Sequence, residues 1–166
     1  MPSFSIVGLP DNSIKESRER VKSALLTNGY NFPPLRVTLS LSPSDIKKEG
    51  SHFDLPIALL IATKEITFNR DVFVFGELGL DGKIKDTALI YPIILSLYSV
   101  ERISIIIPKD SLQKVEKIPN LEIFPFETLK ECVDFLEGNI VLEPILTDGF
   151  STNFIEIDNK RYFYSD

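Results

Sequence analysis

The chain is poor in the residues on which most site chemistry rests. It holds one cysteine and one histidine in 166 residues. A lone thiol excludes an internal disulfide and suits a reducing, cytoplasmic setting. Cys132 falls at helical spacing with Leu129, Val133 and Leu136 and reads as a small core residue. A zinc site needs several such ligands, so no metal site is expected. A histidine-based triad has only His52 to draw on. Ser51, His52 and Asp54 crowd together in sequence, and such neighbours rarely converge their side chains. His52 itself, in a polar loop ahead of a helix, reads as solvent-facing or locally bonded.

Other absences narrow the class further. No basic segment followed by an apolar run opens the chain, and the greasiest stretch, 57–62, is far short of the roughly 20 residues that span a bilayer. No membrane contact is therefore expected. A Gly-x-x-x-x-Gly-Lys-Ser/Thr run is missing, so this segment is not expected to hydrolyse ATP and needs no cofactor of its own. Gly76, Gly79 and Gly82 are spaced too evenly for a dinucleotide fingerprint; an Asp81-Gly82 hairpin turn, with both turn positions at positive φ, explains them better. No internal repeat and no low-complexity tract occurs.

What remains is an ordinary globular composition, 43% hydrophobic and 25% charged, with a net charge of −6. An acidic chain argues against a stand-alone nucleic-acid binder. The charge is uneven, however. Residues 1–50 carry seven Lys/Arg against five Asp/Glu, and residues 121–166 three against ten. Any polyanion contact is expected in the first third.

The pattern predicts a strand at 4–7, then a helix from about Ser13 to Asn28. Ser13 with Glu16 fits a capping box, and Asp11 is a rival cap. Ile14, Val21, Ala24 and Leu25 form the buried stripe. A strand at 36–41, a polar loop, and a helix capped near Asp54 and running toward Lys64 follow. Next come a strand at 72–75, the hairpin, a helix at 89–99, a buried strand at 103–107, a short helix at 110–117, a strand at 121–124 and a helix at 127–137 stopped by Gly138. The alternation suggests parallel strands with helical crossovers, an α+β or mixed α/β fold. Residues 2–138 read as one domain. Residues 139–166, acidic and aromatic, read as a linker that docks by a hairpin around Asp158-Asn159.

Three blocks carry a resemblance. They are Ile6-Val7-Gly8-Leu9-Pro10-Asp11 with Lys15 to Val21; Lys48-Glu49-Gly50 with Phe53-Asp54-Leu55-Pro56-Ile57-Ala58; and Gly76-Glu77-Leu78 with Leu80-Asp81-Gly82. In these blocks the chain resembles the amino-terminal domain of the ComM/YifB family, magnesium-chelatase-like AAA+ proteins. The resemblance implies a fold like ribosomal protein S5 domain 2 and the proteolytic domain of Lon: a left-handed βαβ start and a mixed sheet with helices on one side. It also implies a strand before Pro2 and, beyond Asp166, an AAA+ motor using ATP and Mg2+, so that the sequence would be a piece of a longer protein. The implied role is a non-catalytic accessory domain of a hexameric DNA motor, similar to a branch-migration helicase of natural transformation. The implied partners are its own AAA+ domain, neighbouring subunits and DNA.

The same resemblance raises a Lon-like Ser-Lys peptidase, which the residues answer. The nucleophile slot falls on His52, with Ser51 one place off, and the lysine slot falls on Tyr91. Both halves of the dyad are thus replaced; Lys83 and Lys85 sit on the hairpin and read as solvated. No catalytic residue is expected. A third reading is an S5-like nucleic-acid-binding module acting alone. The candidate contacts with DNA or a neighbouring subunit are Lys15, Arg18 and Lys22, spaced three and four apart on the first helix, with Lys47 and Lys48 in the following loop.

Overall fold

A computed structural model describes residues 3–99 and 101–148. The hairpin expected around Asp158-Asn159 lies outside them. The architecture is mixed α/β. Strand β1 (Ser3–Val7) runs through helix α1 (Asn12–Thr27) into β2 (Arg36–Ser40), which lies parallel to it. Helix α2 (Asp54–Ala62), strand β3 (Val72–Val74) and the hairpin β4 (Glu77–Leu78) and β5 (Ile84–Lys85) follow. Then come α3 (Ile90–Ser96), β6 (Ile103–Pro108), a short 3₁₀ turn leading to α4 (Leu112–Val115), β7 (Leu121–Phe126), α5 (Leu129–Leu136) and β8 (Ile145–Leu146).

The largest sheet has the order β3-β6-β7-β8. Its first three strands are parallel and β8 is antiparallel. The expected helical crossovers are therefore present, and the sheet extends past Gly138. Helices cover it on both faces rather than on one. Ile106 and Phe124 point to the face shared by α1, α2, α5 and the hairpin; Ile105, Ile107, Leu121 and Ile123 point to the face under α3 and α4. The reason lies in β6, whose Ser104 to Pro108 are all buried: a strand apolar on both sides needs cover on both sides.

Helix α1 buries Ile14, Val21, Ala24 and Leu25 as the spacing requires, together with Ser17. Its cap is Asp11, not Ser13: the Asp11 carboxylate accepts from the Ile14 N–H at 2.8 Å. Asp11 prevails because it caps two segments at once, accepting from Gly50 N–H as well at 3.1 Å. Asp54 does not cap α2. It is the helix's first residue, the N-cap position belongs to Phe53, and no side chain bonds there. A capping box does occur at α5, between Thr128 and Glu131. At the hairpin, only Gly82 takes positive φ (+85°); the loop is a Gly79–Gly82 turn closed by Gly82 N–H to Gly79 C=O, rather than a two-residue turn with both centres left-handed. Cys132 is buried in the core, and burial pushes its thiol pKa up.

Candidate functional site

The three blocks that carry the resemblance, far apart in sequence, meet at one polar junction. The loop 47–50 hydrogen-bonds the turn 8–11: Lys48 N–H donates to Leu9 C=O, and Asp11 N–H to Lys48 C=O, each at 3.0 Å. The Lys48 ammonium adds a bond to Gly8 C=O at 3.0 Å. These contacts hold Leu9 at φ +54°, a conformation that costs an L-residue energy unless its surroundings impose it. The second block then meets the third. Gly76 N–H donates to His52 C=O at 3.0 Å and Leu55 N–H to Gly76 C=O at 2.9 Å. A Cβ at position 76 would lie 2.7 Å from Ile84 Cγ2, so any side chain there would push the hairpin away from α2.

At the centre is a buried ion pair. Asp54 is fully buried at the head of α2. Its Oδ2 accepts from Arg20 Nε at 2.6 Å and from Leu78 N–H at 3.1 Å, and its Oδ1 accepts from Arg20 Nη2 at 3.1 Å. Arg20 also donates to Ser13 C=O and Ser17 Oγ. The hydrogen bond to Asp54 is the main cause that raises the guanidinium pKa further, against the opposing effect of burial. One pair thus ties α1, α2 and the hairpin. Spacing alone did not reveal it. The available signal was a charged residue heading a helix, 54–62, that is otherwise apolar and mostly buried: such a charge needs a partner.

Beside the pair, the Ser51 hydroxyl donates to the Glu77 carboxylate. His52 is buried, not solvent-facing. Its ring packs on Phe53 and Phe75 at centroid distances of 4.3 and 6.2 Å, and its Nδ1 has no hydrogen-bond partner. Burial lowers its pKa, against the raising effect of Asp11 and Asp54, so the imidazole is held neutral. Its burial follows from its place in the turn between the two parts of the second block, where its own carbonyl is engaged by Gly76. Tyr91, in the lysine slot, stands on the outer side of α3. Lys83 and Lys85 are exposed on the hairpin, lining a cleft of about 400 Å³ with Lys109 and Glu127, which pair with each other at 2.5 Å. Among the described residues, no group of three or more His, Cys, Asp or Glu is placed to hold a metal ion.

The basic candidates divide. Lys15 and Lys22 are exposed on α1. Arg18 donates to Phe4 C=O and pairs with Glu19, each at 3.2 Å, and it lines with Lys22 a cleft of about 210 Å³ floored by Phe4 and Phe32. Lys47 is exposed and 3.7 Å from Glu49. Lys48 is half-buried, with its charge turned onto the Gly8 carbonyl. Among the described residues, no helix is long and apolar enough to cross a membrane.

Comparison with known proteins matches residues 1–111 to the family described as subunit ChlI of Mg-chelatase. YifB of Escherichia coli is 35% identical over 156 residues, covering 91% of this chain and 31% of YifB. The competence protein ComM of Haemophilus influenzae is 32% identical over 164 residues, covering 96% of this chain and 32% of ComM. A Mycobacterium tuberculosis protein, Rv2897c, is 30% identical over 156 residues, covering 92% of this chain and 31% of its own length. The chain thus spans about a third of the length of the curated relatives it matches.

Proposed function

The chain belongs to the Mg-chelatase ChlI-like family, with YifB and ComM, and from that membership we propose that it is a non-catalytic accessory domain of a cytoplasmic AAA+ ATPase. Its partners in this reading are the ATPase domain of the same polypeptide, neighbouring subunits of a ring, and DNA; ATP and Mg2+ act at the ATPase domain. The observation that carries the non-catalytic part is the state of the nucleophile slot. His52 fills it and is buried. The adjacent Ser51 hydroxyl is engaged by a carboxylate, whereas a Ser-Lys dyad needs a neutral lysine there. Incubation with unfolded casein tests this: no cleavage is expected, and cleavage lost in Ser51→Ala would overturn it.

The junction gives the domain its purpose in this reading. A body braced by a buried ion pair presents α1 and the loop 47–48 as a rigid edge. Lys15, Arg18, Lys22 and Lys47 are the contacts with DNA or the next subunit, while Lys48 shapes the loop that carries Lys47. One acidic copy is a poor DNA ligand, so the edge works when several copies are gathered. In the longer polypeptide, Lys15→Glu with Lys22→Glu should weaken DNA-stimulated ATP hydrolysis or ring formation, with a salt dependence that falls as phosphate contacts are lost. Both activities at wild-type level would reduce the edge to a solvated surface.

A further inference from the structure

Helix α3 carries no charge, and its only hydroxyls are those of Tyr91 and Ser96. Between Asp86 and Glu101 the sequence carries no charge at all. Ile90 and Ile94 enter the core over β6 and β7. Beside them Tyr91 and Leu95, four positions apart on the helix, stand exposed with Pro92, and Leu89 and Tyr98 extend the patch just before the helix starts and just after it ends. Leu89, Tyr91, Leu95 and Tyr98 are 39–49% exposed. A surface helix ordinarily turns charged residues outward; one without charge that exposes large apolar side chains marks a surface for another segment to cover.

The described chain ends beside that face. Thr147 is buried: its N–H donates to Leu121 C=O at 3.0 Å and its hydroxyl accepts from Leu121 N–H at 2.8 Å. Its carbonyl accepts from Asn120 N–H at 3.3 Å, and the Asn120 side chain donates to Ser99 C=O at 3.1 Å. Ser99 follows Tyr98 directly. Position 147 is thus pinned next to the C-terminal end of α3. The sequence after Asp148 contains Phe150, Phe154, Tyr162, Phe163 and Tyr164. Seven helical residues measure about 10 Å, and extended chain advances about 3.3 Å per residue, so a handful of residues spans the face.

We propose that the outer face of α3 is the docking surface for this chain's own aromatic run, Phe150 to Tyr164. Rings of Tyr91, Tyr98 and the incoming Phe and Tyr would bury each other's faces, leaving the hydroxyls at the rim in water. The surface couples whatever continues beyond the run to the rigid sheet of this domain. This assignment is independent of the DNA reading.

The test uses the whole chain, with Phe154 replaced by the photo-crosslinking residue p-benzoylphenylalanine and irradiated at low protein concentration. The expected product is a monomer-sized adduct whose crosslinked peptide contains residues 89–98. Leu95→Lys or Tyr91→Lys in the same protein should reduce its yield severalfold while the melting point stays close to the parent's. An adduct of twice the mass would assign the face to a second copy. A crosslink elsewhere, or none, or full yield in both Lys variants, would equally overturn the proposal.

Discussion

The polar junction and the large sheet are held in opposite ways. In the sheet, β6, β7 and α5 meet through Ile, Phe and Leu side chains; Phe124 and Phe135 lie 4.9 Å apart and Phe68 packs edge-on to Phe124. Nothing in that packing depends on one particular partner. At the junction, a single carboxylate serves Arg20 and Leu78 together, and its loss would strip Arg20 Nε and the Leu78 N–H of their partner. An apolar core tolerates change in proportion to volume, whereas a buried charge either has its partner or does not.

The sharpest way to break this contrast is Arg20→Ala. It strands the Asp54 carboxylate in the interior and should cost about 3–5 kcal/mol in a urea melt. Arg20→Met with Asp54→Leu should recover most of that loss, because two apolar groups leave no charge behind; a double variant as unstable as the single one would refute the distinction. In the sheet, Ile106→Ala should cost about 2–5 kcal/mol through lost burial and a cavity, and Ile106→Val only about 0.5–1.5 kcal/mol. That graded response should have no counterpart at Arg20, where Arg20→Lys already loses the two-nitrogen fit to Asp54.

Thr128→Ala removes the α5 capping box and should cost about 0.5–2 kcal/mol, measured the same way. The pH dependence is smaller and returns to the junction. The folded His52 pKa lies below its ordinary 6.5 because of burial. As pH falls past 6.5 the unfolded chain takes up the proton first, so stability declines from there down to the folded pKa and is fully present above 6.5. The melting point should drop between pH 7 and 5.5, and His52→Asn should flatten that drop. Smallest of all, Lys15→Glu with Lys22→Glu should leave the melting point nearly unchanged, since both side chains are in water.

The contrast also explains what could be read from the sequence. Periodicity placed β1, β2, β3, β6, β7, the parallel crossovers and the stripe Ile14, Val21, Ala24 and Leu25, because apolar burial leaves a repeating trace; β8, two exposed residues in the stretch read as a linker, leaves none. Helices on one face are what the resemblance alone implies, and β6, apolar on both sides, requires them on two. The junction leaves no such trace. Asp54 was assigned to a cap and His52 to solvent because local rules weigh a residue against its neighbours in sequence, and their partners lie elsewhere. The family blocks did mark the place: all three converge there. Of the five basic candidates, Lys15 and Lys22 stand exposed on α1, Lys47 lies near Glu49, Arg18 is partly engaged, and Lys48 is turned inward onto a carbonyl.

The sequence distances at the junction have a kinetic consequence. Arg20 and Asp54 are 34 positions apart, and Asp11 and Gly50 are 39, whereas the α5 capping box closes over three. Long loops must be closed before such contacts return any energy. The pairing of β3 with β6 closes 32 positions, Val72 to Ser104, so by loop length the junction forms after the local helices and alongside the sheet rather than after it. Arg20→Ala should slow folding to the extent that the ion pair is already made in the transition state and speed unfolding to the extent that it is not, so the two arms of its chevron report whether the pair governs how fast the native state is reached or how long it lasts.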